Sequence, residues 1–279
     1  MKKIVVLYHS SCTDGFGGAY VAWKKFGNRA AYLPVEYQKD PPAGLTNKEV
    51  YIIDFSYKAQ VLEKMKLKNK KVVVLDHHKS ASDDIKFATE YVFDNNHSGA
   101  VVAWRYFYGE EKVPKILSFI EDNDLWKFKL KNSKEVFIAL DTLPFDFKIW
   151  DKVIVNFEKN GDFRKKIIEK GKNIIFYKNL LIDRLISRAS LILFEGYKIL
   201  AINSPVFVSE FGNKLSSLNN PPFSLVWSVS GERVNVSLRS IGSFDVSKIA
   251  LKYGGGGHKN SAGFSFYLRD GFPWKFISD

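Results

Sequence analysis

Cysteine is nearly absent. Cys12 is the single one in 279 residues, so no disulfide can form within the chain. A lone thiol suits a reducing compartment, and the expected location is the cytoplasm. Long apolar runs are missing too. None approaches the ~20 residues that span a bilayer, so no membrane segment is expected. The opening Met1-Lys2-Lys3 and Ile4 to Tyr8 has the outline of a signal peptide. Its apolar run stops at His9-Ser10-Ser11, short of the roughly 7 to 15 residues of an h-region, and is read as a buried strand. No internal repeat or low-complexity tract is present. Histidine is scarce, with five in the chain, so the placement of each carries information.

What is plentiful is ordinary globular material and positive charge. The hydrophobic share is 46% and the charged share 26%, with aromatics at 15% that mostly fill cores. A length of 279 residues lies where one domain commonly becomes two. Lys plus Arg number 42 against 30 Asp plus Glu, a formal net charge of +12. Such an excess concentrates anionic partners such as nucleotides, RNA or DNA, or simply solvates the surface. Charge alone does not choose between these.

The first third alternates continuous apolar runs with helical patterns. Ile4 to Tyr8, Val50 to Ile53 and Lys71 to Leu75 read as strands, and Phe16 to Phe26 and Ala59 to Leu67 as helices. Apolar runs without alternation imply strands covered on both faces, hence a parallel sheet with crossover helices. Helices are also expected from Ser98 to Phe107, with Ser98 as N-cap, and from Lys115 to Glu121. A long basic helical stretch, Phe163 to Ala189, reads as a connector. Beyond it come short strands at Leu191–Phe194, Lys198–Asn203, Ser224–Ser230, Arg233–Arg239 and Ala262–Leu268, with a helix at Val246–Tyr253. The expected class is α/β, divided into a metal-binding domain (1–160), a connector helix (161–190) and a smaller α/β domain (191–279).

Each of the three N-terminal strands ends in metal-capable residues. In an open α/β sheet, ligands bind beyond the carboxyl ends of the strands, so one rim can gather His9, Asp14, Asp54, Asp76, His77 and His78. Imidazole with carboxylate suits Mn²⁺, Zn²⁺ or Fe²⁺, and the carboxylates also admit Mg²⁺. Asp54 follows a fully apolar strand, where a carboxylate needs a partner. Glu121-Asp122-Asn123-Asp124 closes a helix, and carboxylates there oppose the helix dipole unless a cation is near. The run Gly254 to Gly257 followed by His258 reads as a glycine loop able to offer N–H groups to a phosphate. Arg239, at the end of an alternating strand, is either a phosphate clamp or a surface arginine.

Together these residues resemble the DHH phosphoesterase superfamily, in the form that carries a DHH-associated C-terminal domain. The likeness covers essentially the whole chain. The name motif is Asp76-His77-His78, the first motif His9 to Gly15, the second Ile52-Ile53-Asp54, and the fourth Glu121 to Trp126. The C-terminal signature is Val236 to Ser240, then Gly254 to His258 with Ser261 to Phe264.

The resemblance implies two divalent ions, Mn²⁺ or alternatively Mg²⁺, bridged by Asp54. It assigns His9 to one ion, and Asp14, His77 and Asp122 to the other. Asp76 would orient a ligating histidine and His78 would face the scissile phosphate, which a hydroxide attacks in a two-metal mechanism. Arg239, Gly255, Gly256, Gly257 and His258 would hold the nucleotide. One position departs from the family pattern: Cys12 stands where a first carboxylate is common.

The expected activity is a 3′–5′ phosphodiesterase on short oligoribonucleotides, with release of phosphate from a 3′-phosphorylated adenosine nucleotide as an accompanying activity. The alternatives are a cyclic or linear dinucleotide phosphodiesterase and a non-catalytic nucleic-acid binder of the same fold.

Overall fold

The chain divides into two units, Met1–Ile175 and Phe176–Asp279, and the computed structural model describes residues 2–36, 39–218 and 222–277 of it. The first unit begins β1 (Ile4–His9), α1 (Thr13–Phe26), β2 (Ala30–Val35), β3 (Glu49–Ile53), α2 (Ala59–Lys68), β4 (Lys71–Asp76) and β5 (Glu90–Phe93). The helices α3 (Gly99–Tyr108), α4 (Lys115–Asp124), α5 (Ser133–Asp141), α6 (Phe147–Lys159) and α7 (Gly161–Ile186) follow, the unit boundary falling within α7.

The five strands form one sheet in the order β2-β1-β3-β4-β5, parallel throughout. Side chains alternate between its faces. Val6, Tyr8, Tyr51, Ile53, Val73 and Leu75 pack with residues of α1, α3, α4 and α6. Val5, Leu7, Val50, Ile52, Val72 and Val74 pack with Leu62 and Met65 of α2. Burial on both faces is the reason these strands are continuously apolar, and each such side chain contributes roughly 1.5–3 kcal/mol.

Register then positions the polar ends. Tyr8 pairs with Ile53, and Ile53 with Leu75. The next residues, His9, Asp54 and Asp76, therefore emerge level at one rim. The chain runs from β1 outward to β2 and then back past β1 to β3, so His9 and Asp54 flank the point where strand order reverses. That is where open α/β sheets bind ligands. The sequence does not announce β2, β5, α5 and α6 in this unit, nor the helix at Val208–Leu218 and the strand at Lys275–Phe276 in the second.

The second unit contains β6 (Ser190–Phe194), β7 (Tyr197–Asn203), α8 (Val208–Leu218), β8 (Phe223–Ser230), β9 (Arg233–Ser240), α9 (Ser247–Lys252), β10 (Gly256–His258), β11 (Ser261–Tyr267) and β12 (Lys275–Phe276). Their sheet has the order β10-β11-β9-β8-β7-β6-β12, antiparallel except where β7 meets β8. Phe194, Leu225, Leu238 and Phe264 pack with Ile249 and Ala250 of α9. Phe211 and Leu215 of α8 pack with Ile202 and Val226. The mixed α/β class and the parallel first sheet are as the sequence implies. Among the described residues no helix is long and apolar enough to cross a membrane.

Candidate metal centre

The site is assembled from chain reversals. After His9 ends β1, Ser10 donates its N–H to Val35 O (2.9 Å) and Ser11 turns the backbone at φ 53°. α1 then starts at Thr13, which sets Asp14 in the first helical turn, where carboxylate charge is favoured. Asp54 follows β3 at φ 66°, a left-handed conformation uncommon outside glycine, and its N–H is fixed on Leu75 O at 3.0 Å. At the start of α3, the N–H groups of Gly99 and Ala100 donate to Asp14 at 2.6 and 3.1 Å. Gly99 also lies against Asp54. A Cβ at this position would stand 2.6 Å from Asp54 Cβ, closer than real atoms approach.

Three overlapping donor groups result, and Asp54 belongs to two of them, one with His9 and Cys12 and one with Asp76, His77 and His78. Asp54 Oδ1 lies 3.2 Å from His77 Nε2. Asp54 Oδ2 lies 3.5 Å from both His9 Nδ1 and Cys12 Sγ. On its other side, His77 Nε2 is 3.5 Å from Asp124 Oδ2 and 4.0 Å from Asp14 Oδ2. The groups Asp14–His77–Asp124 and His9–Cys12–Asp54 each bring three donor atoms within 4.8 Å of one another. Donors around one cation at about 2.0–2.2 Å stand roughly 3–3.5 Å apart, so both groups have the right scale.

The electrostatics also fit a cation. Burial, with the charges of Asp54 and Asp124, pushes the Asp14 carboxyl well above the usual range. Asp124 is pushed up to about 6 by burial and by the charge of Asp54. Burial works against a charged Asp54 as well, yet hydrogen bonds to His77 and His9 hold it below the usual carboxylate range. Three carboxylates converge here, and the pKa values of Asp14 and Asp124 stay raised despite the neighbouring histidines, a crowding that a divalent ion relieves. Asp76, fully buried, keeps its Oδ2 without a hydrogen-bond partner among the described residues.

His78 is held differently. Its Nδ1 lies 2.7 Å from Asp76 Oδ1, which also accepts the N–H groups of His77 and His78 at 2.7 and 3.2 Å. Burial disfavours the charged imidazole, but the bond to Asp76 and the surrounding carboxylates outweigh it, so its pKa rises to about 9. Asp76 thus orients His78, where the sequence reading expected it to orient a ligating histidine. His9, Asp54, Asp76 and His78 line a cavity of about 320 Å³ with Phe55, Ser56, Lys58, Ser80, Ala81 and Asp84. These latter six escaped the sequence reading, because nothing in their spacing marks them before the sheet is formed.

Of the expected ligands, His9, Asp14, Asp54 and His77 come together, and Asp122 does not. The Asp122 carboxylate faces the following turn, where it accepts the N–H groups of Lys129 (2.8 Å) and Leu130 (3.2 Å). Asp124 takes its place at the cluster. Burial would have pointed the wrong way, since Asp122 is the buried acid of α4 and Asp124 is exposed. Asp124 instead shares its helical face with Leu117 and Ile120, seven and four residues before it, and that direction brings it to His77.

In the second unit Arg239, Ser261 and His258 pair in one row across β9, β11 and β10. Directly paired residues share a face of the sheet, so the two separated motifs meet. Arg239 crosses α8 at Gly212, where a Cβ would stand 2.4 Å from its Cγ, and its Nη2 donates to Ser209 Oγ at 3.1 Å. The glycine run differs from the loop expected. Gly256 and Gly257 are in β10, and a Cβ at 255 or 257 would strike the backbone of β11.

The DHHA1 domain family matches residues 201–272. An uncharacterized protein of Acanthamoeba polyphaga mimivirus is 32% identical over 99% of this chain and 70% of its own length. Oligoribonuclease NrnB of Bacillus subtilis (strain 168) is 24% identical over 70% of this chain, a match spanning 53% of NrnB. Among solved structures, the DHH domain of a member of the s1p family of ribosomal proteins has a TM-score of 0.58 at 14% identity, covering 99% of this chain and 83% of that one. RecJ of Thermus thermophilus, in complex with Mn²⁺, has a TM-score of 0.54 at 13% identity, covering 96% of this chain and 50% of RecJ. These structural likenesses are of fold.

Proposed function

The chain belongs to the DHH phosphoesterase superfamily, and from that premise we propose that it hydrolyses phosphodiester bonds in short oligonucleotides with two divalent ions. The observation that carries this reading is the Asp54 carboxylate, whose two oxygens serve two different donor groups. His9, Cys12 and Asp54 would hold one ion. Asp14, His77, Asp124 and Asp54 would hold the other. The mixed imidazole and carboxylate donors favour Mn²⁺, with Mg²⁺ as a poorer substitute. Ions held there would supply positive charge able to polarise a phosphoryl oxygen and acidify an attacking water.

The protein's own groups do the rest. Asp76 occupies His78 Nδ1, and His78 lines the cavity, so that Nε2 is the nitrogen it would offer to a substrate. The imidazolium that this arrangement favours donates to charge developing on the phosphoryl group. Gly99 and Ala100 hold Asp14 in place through their N–H groups. In the second unit, Arg239 and His258 would grip a nucleotide phosphate, with the glycines of β10 giving close access to its backbone. Oligoribonuclease NrnB supports a short RNA substrate.

The test is hydrolysis of 5′-labelled RNA of two, five and twenty nucleotides, with Mn²⁺, Mg²⁺ or EDTA, beside Asp54→Ala. Mn²⁺-dependent turnover that is fastest on the dinucleotide and abolished in Asp54→Ala is expected. Equal rates on all three lengths would remove the short-substrate part of the reading, and no cleavage by Mn²⁺-loaded protein would remove the RNA part.

A further inference from the structure

Directly after Asp124 the chain builds a feature that the phosphoryl chemistry leaves unused. Residues Trp126-Lys127-Phe128-Lys129-Leu130-Lys131 alternate large apolar side chains with lysine. Trp126 is 63% exposed. An indole left in water beside a catalytic rim, when the fold buries Trp150 and Trp274, calls for an occupant.

The loop is held to present it. Trp126 and Phe128 adopt φ of 54° and 49°, conformations that bulky residues rarely accept without a compensating framework. Asp122 supplies that framework. Its carboxylate takes the N–H groups of Lys129 and Leu130, and its backbone oxygen takes those of Lys127 and Phe128 at 2.9 and 3.2 Å. The Trp126 N–H bonds Asn123 O at 3.0 Å. Phe128 braces the indole edge-on at 4.7 Å between centroids, and Lys134 Nζ lies 4.2 Å from the Phe128 ring centre. Lys127 Nζ is anchored on Asn96 O at 2.9 Å. The backbone that carries the indole is thus held in place, two residues beyond a proposed metal ligand, with exposed Lys129 and Lys131 adding positive charge nearby.

An exposed aromatic with interleaved cations is the arrangement that receives an unpaired nucleobase by stacking, tolerant of base identity because every base has a π-face. We propose that Trp126 is a stacking platform for the base of a nucleotide flanking the scissile phosphate. The proposal rests on the reading of the chain as a nucleotide phosphodiesterase. It adds the recognition of a base beside the metal centre, with the acid at 122 in a structural role.

The test is an anisotropy titration with Mn²⁺ and a labelled, hydrolysis-resistant dinucleotide, intact or lacking one base, against wild type, Trp126→Ala and Trp126→Phe. Mn²⁺ affinity and thermal midpoint are measured alongside as folding controls. Loss of a base stack weakens binding by about tenfold or more. The Trp126→Ala variant should lose that affinity for the intact dinucleotide, Trp126→Phe should recover most of it, and an abasic form should bind weakly to wild type with no further loss in Trp126→Ala. In turnover, Trp126→Ala should raise KM about tenfold while kcat stays within about twofold. Wild-type affinity for the intact dinucleotide in Trp126→Ala overturns the platform, as does an equal loss on intact and abasic ligands. Base-dependent binding without cleavage keeps the platform and overturns the enzymatic reading. Cleavage with an unchanged KM in Trp126→Ala does the reverse. A wild type that binds no dinucleotide overturns both.

Discussion

Substituting Gly99 by alanine adds one methyl at the narrowest point of the metal centre. It would stand 2.6 Å from Asp54 Cβ and 2.7 Å from Asp54 Oδ1, where ordinary contact begins at 3.4 Å. Something must yield by roughly 0.8 Å in an interior packed like a crystal. Asp54 can move only by leaving its Leu75 hydrogen bond or its strained backbone. The start of α3 can move only by withdrawing two N–H groups from Asp14. Either way a proposed ligand is displaced, and a misplacement on the order of 1 Å at a reacting centre costs about 10²-fold in rate. Overpacking should also cost about 1–3 kcal/mol, a fall of several degrees in midpoint. The assay is Mn²⁺ titration calorimetry with dinucleotide turnover, beside Gly109→Ala. Gly109 closes the same helix at φ 60° with nothing within 4 Å of an added Cβ, so that variant strains α3 without touching the site. A Gly99→Ala protein with wild-type Mn²⁺ affinity and rate would refute the steric argument, and so would an equal loss in Gly109→Ala.

Asp124→Ala should lower Mn²⁺ affinity more than tenfold while leaving the metal-free midpoint unchanged or higher, because it removes a charge crowded by Asp54. Asp122→Ala should instead lower the midpoint, by about 1.5–3 kcal/mol for its charged hydrogen bonds, and calorimetry with thermal melts separates the two. Gly212→Ala should drive Arg239 off α8 and weaken binding of a nucleoside monophosphate severalfold with Mn²⁺ affinity intact; unchanged nucleotide affinity would remove Arg239 from the substrate site. Although burial opposes its charge, Asp151 is held below the usual carboxylate range by Lys24 and Tyr20, at 3.0 and 2.8 Å. The unfolded chain binds that proton more readily, so the stabilisation is present above about pH 4 and fades as pH falls further. Urea midpoints of Asp151→Asn should accordingly vary less with pH below about 4 than those of wild type.

The strands that carry the metal donors were legible because they are buried on both faces, which makes their apolar runs continuous. β2 was not, since Pro34 interrupts it and proline inside a run argues against a strand. β5, of four residues with Glu90 first, is too short to carry a pattern. His9, Asp14, Asp54 and His77 could be named from their positions at strand and helix ends. The choice between Asp122 and Asp124 could not be made from charge, because both are acidic and two residues apart; it depends on which of them faces His77 and on N–H groups that reach Asp122 only when the chain turns at 129 and 130. The glycine run was noticed for its composition, but its use as an edge strand required knowing that β11 pairs with it.

The donors of the metal centre are dispersed from His9 to Asp124, on separate strands and helices. No short stretch of the nascent chain contains more than a fragment of the set, so an ion has little to grip until the sheet is assembled. Small zinc domains work the other way, their ions being the nucleus of the fold. An ion held by donors so dispersed would add stability to the assembled protein by mass action rather than nucleate its fold. On that reading the metal-free form would be a folded species, and the ion it takes would depend on which divalent cations it meets once the sheet is complete.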